Sequence, residues 1–148
     1  MGFGDNAVEL LKLINPIEHS KTMDLAKKYK VEPYVMVADI YSNMDHPGMG
    51  GWSWYTGSSS WYYDAIVEYV LGLKQKDRYL YVEPCIASYW KEFEIHYKYK
   101  TSMYHIVVKN PEGRNTGVKK FLLNDNEIAE KRVLLQDDCK IYNIEIIM

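Results

Sequence analysis

Cysteine is scarce in this chain of 148 residues: Cys85 and Cys139 stand far apart, with no metal-ligand spacing around either. A disulfide scaffold and a paired-cysteine zinc site are thereby excluded, and the two read as buried free thiols in a reducing compartment. His19, His46, His96 and His105 add neither a triad nor a metal spacing, so no metal is expected. The formal charge of −2, with lysines interleaved among acids, leaves no basic footprint for nucleic acid. No apolar run approaches the ~20 residues that a membrane helix needs. Met1-Gly2-Phe3-Gly4-Asp5 lacks the charged-then-apolar order of a secretory leader and reads as a loop between helices. A cytoplasmic protein without a membrane span is expected.

What is present is an ordinary apolar share of 47% and an unusual stock of rings, 14 tyrosines and 4 tryptophans. Such rings pack cores, and they also stack on carbohydrate. The hydropathy pattern divides the chain. Asp5 or Asn6 can cap a helix whose Ala7, Leu10, Leu11 and Ile14 share one face, with Asn15-Pro16 as its stop. Thr22 can cap a short helix over Met23 to Tyr29. Pro33 can open a third, apolar nearly all round from Tyr34 to Tyr41 and hence buried. A loop over Asn43 to Gly57 and a fourth helix over Ser58 to Leu73 complete this half.

The period then changes from 3.6 to 2. Phe93, Ile95, Tyr97 and Tyr99 alternate with Glu94, His96, Lys98 and Lys100, and Tyr104, Ile106 and Val108 continue after a break at Lys100-Thr101-Ser102. Further strands are expected over Tyr79–Val82, Val118–Leu123, Arg132–Gln136 and Lys140–Ile147, with turns at Pro111-Glu112-Gly113 and Asn124-Asp125-Asn126. The expected fold is α+β: helices over residues 1–75 and an antiparallel β-sandwich over 76–148. Four helices with partly orphaned apolar faces make a poor independent domain, so they read as part of a larger helical body.

The densest chemistry lies in Gly50-Gly51-Trp52-Ser53-Trp54-Tyr55-Thr56-Gly57-Ser58-Ser59-Ser60-Trp61. Hydroxyls and backbone N–H groups at a helix start can hold an anion, and the rings beside them can stack on sugar. From the residues alone, Thr56 to Ser59 serve equally as a helix cap. Trp52, Trp54 and Tyr55 serve equally to pack the loop, and Glu32 to favour a helix dipole.

Several blocks in order are similar to the C-terminal end of glycoside hydrolase family 94: Asn15-Pro16-Ile17-Glu18-His19, Tyr29-Lys30-Val31-Glu32-Pro33-Tyr34-Val35, Gly51-Trp52-Ser53-Trp54-Tyr55-Thr56-Gly57-Ser58, Leu71-Gly72-Leu73, Glu83-Pro84-Cys85-Ile86 and Trp90-Lys91-Glu92-Phe93. That family holds inverting β-glucoside phosphorylases and the phosphorylase-like region of cyclic β-1,2-glucan synthases. Ala38-Asp39, and Trp54-Tyr55 before Thr56, resemble the synthase branch more closely. The resemblance implies the last helices of an (α/α)6 barrel, followed by the family's C-terminal β region. It implies attack of inorganic phosphate, a co-substrate rather than a cofactor, on a β-glucosidic bond, with one carboxylic acid protonating the leaving oxygen. Thr56 and Gly57 match the phosphate-binding pair, with Ser58 beside them. Trp52, Trp54, Tyr55, Glu32 and Tyr34 fall where the family meets sugar. Ala38 stands where disaccharide phosphorylases carry a sugar-contacting glutamine, and Asp39 next to it reads as a helix-surface acid.

No residue matches the family's general acid or its Thr-His-Gly phosphate block, and His19 reads as structural. No catalytic residue is therefore expected here. The chain looks like a C-terminal fragment, inactive alone, that takes β-glucan or β-glucoside oligosaccharide and phosphate together with a missing N-terminal part, or else self-associates. The rivals are a non-catalytic carbohydrate-binding or scaffold module and an inactive remnant.

Overall fold

The computed structural model describes residues 2–148. The chain divides into two units, Val8–Ala65 and the residues up to Ala7 together with Ile66–Met148.

In the first unit the local signals hold where they are strongest. Helix α1 runs over Gly4–Ile14, and α3 over Met23–Tyr29. The Thr22 hydroxyl accepts from the Leu25 N–H, and Lys30 closes α3 in a left-handed conformation. Asn15 both stops α1 and caps a further short helix, α2, Pro16–Ser20; its Oδ1 accepts from the Ile17 N–H, and Pro16 stands in the first turn. Asp5 does not cap α1. It lies inside the first turn, and its carboxylate accepts from the backbone N–H and hydroxyl of Ser88 at 2.7 and 3.0 Å.

The third helix expected after Pro33 does not form. Strand β1, Val37–Ile40, occupies its place and pairs antiparallel with β2, Gly50–Ser53, inside the expected loop. Asp39, expected on a helix, is a strand residue in register with Gly51. An all-apolar run fits a buried strand as well as a buried helix, and β-branched Val35, Val37 and Ile40 tip it to strand. The fourth helix is also shorter than its pattern. Helix α4 spans Thr56–Asp64 and passes into a π-helical turn over Ala65–Val70, where the Leu71 N–H reaches the Ile66 carbonyl. Gly72 then turns the chain with φ +73°; a Cβ there would lie 2.1 Å from the Glu83 backbone.

The second unit is mostly β. Strands β3 (Leu73–Lys76), which the pattern missed, β4 (Tyr79–Val82) and β9 (Arg132–Leu134) form one sheet. Strands β5 (Glu92–Tyr99), β6 (Ser102–Lys109), β10 (Ile141–Ile147), β7 (Lys120–Leu123) and β8 (Asn126–Glu127) form another in that order. The expected sandwich was wholly antiparallel. The five-stranded sheet is instead mixed, because β10 runs parallel to β6 with Ile144 opposite Ile106. Leu80, Val82, Tyr104, Ile106, Val108, Phe121, Ile144 and Ile146 are buried, and burying each large apolar side chain supplies about 1.5–3 kcal/mol. Among the described residues fourteen of the buried apolar side chains lie from Val70 onward, and five lie in Val8–Ala65. The core sits in the second unit. The thiols are free but not buried as expected: Cys85 is partly covered and Cys139 exposed.

Two polar clusters hold the β unit. Buried Asn110 donates to the Trp90 and Arg114 carbonyls and accepts from the Arg114 N–H at 2.8 Å. At the β5–β6 turn, Thr101 donates to Asp137, while buried Ser102 and the Tyr142 hydroxyl donate to Asp138. Lys140, with Tyr142 and Ser102, holds the Asp138 carboxyl down at about 2 against an ordinary 3.8.

Asn110→Ala removes the side-chain partner of three part-buried backbone groups, and denaturant unfolding is expected to show a loss of about 1–3 kcal/mol. A folded-state pKa below the unfolded one stabilises above the ordinary value, and that contribution is lost as pH falls from 3.8 through about 2. Asp138→Asn should therefore lower the melting temperature at neutral pH and flatten its decline in that acid window.

Candidate functional site

Two glycines place the candidate site. A Cβ on buried Gly50 would meet Val31, Tyr29 and Val37 atoms at 2.8–3.0 Å, and Tyr29 is itself buried. A Cβ on Gly51 would meet the Tyr41 hydroxyl at 2.5 Å, the far end of a partly exposed side chain that can swing away. Strand β2 thus lies directly on the Tyr29 ring. Past it, Trp52 and Trp54 adopt φ 60° and 62°, left-handed values that bulky residues rarely take and that cost ~1–3 kcal/mol each.

Both indoles face outward, Trp52 being 78% and Trp54 62% exposed. Trp54 Nε1–H donates to Glu32 Oε1 at 3.0 Å, and Tyr34 meets the Trp54 ring edge-on with centroids 6.3 Å apart. Its own backbone N–H and this indole hold the Glu32 carboxyl below the usual carboxylate range. Trp52 pairs with Tyr55 at 6.4 Å. The five expected sugar residues therefore form two groups, Glu32–Tyr34–Trp54 and Trp52–Tyr55, along the segment that leads from β2 into α4.

The Tyr55 N–H donates to the Met36 carbonyl, and Tyr55 itself occupies the cap position of α4, with no side chain capping the helix. The Thr56, Gly57 and Ser58 N–H groups and the Thr56 and Ser58 hydroxyls make no hydrogen bond to described residues. Thr56 and Gly57 are exposed, a Cβ on Gly57 would meet nothing within 4 Å, and no acid stands in the first turn. Such an end carries about +0.5 of an elementary charge.

A hollow of about 270 Å³, lined by Leu13, Ile14, Val37 to Ile40, Ser58 and Trp61, opens beside this corner. Pattern reading missed the part of Asp39 and Trp61 in it. The signal for Trp61 was its place three residues after Ser58, on the same helix face. His19 stands apart: its Nε2 pairs with the Leu13 carbonyl at 2.7 Å and its ring stacks on Tyr29, a structural arrangement. Among the described residues no three His, Cys, Asp or Glu side chains converge as metal ligands.

Residues 1–72 match the Glycosyl hydrolase 94 superfamily, catalytic domain. Over that span the chain belongs to this family. It is 36% identical over 104 residues to the cyclic beta-(1,2)-glucan synthase NdvB of Rhizobium meliloti, covering 70% of the chain and 4% of that protein. It is 36% identical over 126 residues to the N,N'-diacetylchitobiose phosphorylase of Vibrio proteolyticus, covering 84% of the chain and 15% of that protein. Solabiose phosphorylase of Paenibacillus borealis is 25% identical over 136 residues, covering 90% and 16%. The chain thus spans between 4% and 16% of the length of these family 94 relatives.

Gly50→Ala should destabilise the chain by about 1–3 kcal/mol through overpacking against Tyr29. Gly51→Ala, relieved by Tyr41 swinging outward, should cost well under half of that. Equal losses in denaturant unfolding would contradict the close approach of β2 to Tyr29.

Proposed function

We propose that this chain supplies part of the phosphate and sugar site for phosphorolysis of a β-glucoside. The observation that carries the reading is the uncapped, acid-free start of α4 in a chain of this family. A phosphate dianion placed there takes the Thr56 hydroxyl and the N–H groups of Gly57 and Ser58. Each such charge-assisted bond contributes about 1.5–3 kcal/mol. Phosphate then replaces the water and base of an inverting hydrolase at the anomeric carbon, so a second catalytic carboxylate is unnecessary. The exposed Trp52 and Trp54 faces, with Tyr55 and Tyr34, stack on sugar rings, and Glu32 accepts from sugar hydroxyls.

No residue of this chain takes the role of general acid; the proton donor comes from other polypeptide. The first unit offers a surface for it. Five buried apolar side chains cannot hold the 8–65 segment tightly, while Leu10, Leu13, Ile17 and Met23 are exposed. These helix faces dock on the remaining helices of an (α/α)6 barrel or, in their absence, on a second copy. Bare tryptophans also suit a carbohydrate-binding module that takes sugar without phosphate.

Calorimetry with inorganic phosphate, and tryptophan fluorescence with β-1,2-linked glucan oligosaccharides, separate these readings. Binding of both is expected at millimolar concentration. Thr56→Val should weaken phosphate roughly tenfold, the size of one charge-assisted bond, and Trp54→Ala should remove the fluorescence response. Sugar binding without phosphate binding supports the module instead, and binding of neither overturns both.

A further inference from the structure

The four histidines carry no metal spacing in the sequence, yet the fold brings two of them together. His96 on β5 lies directly opposite His105 on β6, and the rings stack with centroids 4.7 Å apart and planes 18° apart. We propose that His96 and His105 form a two-imidazole site for a borderline transition-metal dication such as Cu²⁺ or Zn²⁺.

The pairing phase favours this. The Met103 N–H donates to the Lys140 carbonyl, and the Lys109 carbonyl accepts from the Met148 N–H. Odd-numbered residues of β6 therefore turn their backbone groups toward the β10 side. His105 is one of them, so His96 and His105 form a non-hydrogen-bonded antiparallel pair. Opposed Cα atoms in such pairs are only about 4.5 Å apart and their side chains are closest. Metal–nitrogen bonds of about 2.0–2.1 Å require one nitrogen of each ring to point at a common centre, so the two stacked rings rotate about their side-chain torsions out of their near-parallel arrangement when the ion binds.

The surroundings suit a cation. Glu94, two residues along the same face of β5, brings its carboxylate to 3.7 Å from His96 Nε2. Lys98 lies on the other side of His96 along that face, and Lys109 is paired with Glu145 at 2.8 Å. Asn143 of β10 stands in register with His105 and adds no positive charge. His96 is well exposed, so water completes the coordination. The ion links the β5–β6 hairpin and, binding only the folded chain, stabilises it.

Calorimetric titration of the whole chain with copper(II) chloride and with zinc chloride, in a non-chelating buffer at neutral pH, tests the site. One ion per chain is expected, copper tighter than zinc. His96→Asn and His105→Asn should each weaken binding roughly tenfold or more, at least what the loss of a supporting group costs a metal site. His46→Asn should leave binding unchanged. The paramagnetic resonance spectrum of the copper complex of the unmodified chain should show coupling to two imidazole nitrogens. This reads the site even where a variant folds poorly. Titration of His96→Asn and His105→Asn identical to the parent, loss of binding in His46→Asn, or a spectrum with fewer than two imidazoles overturns the assignment.

Discussion

A missing side chain at Gly50 governs the first unit. Because no Cβ intrudes, β2 lies against the buried Tyr29 ring and pairs with β1, which fixes where the chain emerges toward α4. Trp52 and Trp54 are then driven into left-handed backbone, which turns both indoles outward. The hydrogen bond from Trp54 to Glu32 and the edge contact with Tyr34 offset part of that strain. Tyr55, tied to the Met36 carbonyl, then delivers Thr56 as the first residue of a helix that no side chain caps.

The two units differ in what holds them. The β unit is closed by a large apolar interior and by polar clusters around Asn110 and Asp138, each with several partners. The helical unit has few buried side chains and many exposed ones, and its geometry rests on close backbone contacts. Under the proposed function, ligands and further polypeptide add the contacts that make local strain and exposed rings tolerable in that segment. That division of labour fits a chain whose family 94 relatives are many times longer.

Much of this was legible wherever the deciding information is local. The Thr22 cap and α3 follow from a few adjacent residues, and the alternation from Phe93 to Val108 gives β5, β6 and their turn. Tyr34 to Tyr41 misled because an all-round apolar run carries no period, and its deciding partner, Gly50-Gly51, lies ten residues farther on. The parallel pairing of β10 with β6 was hidden for the same reason, since nothing in either strand names its neighbour. For the candidate site, the motif named the residues. It did not reveal the left-handed tryptophans, the hydrogen bond to Glu32, or the hollow that brings Asp39 and Trp61 beside Ser58.

On the proposed function, the start of α4, held by the β1–β2 hairpin, accepts a phosphate dianion on its free N–H groups. Amide nuclear magnetic resonance during a titration with inorganic phosphate reads those groups one by one. Saturable shifts concentrated at Thr56, Gly57 and Ser58, absent with chloride at equal ionic strength, are the predicted result. Shifts scattered over the surface lysines, with those three amides unmoved, would contradict it.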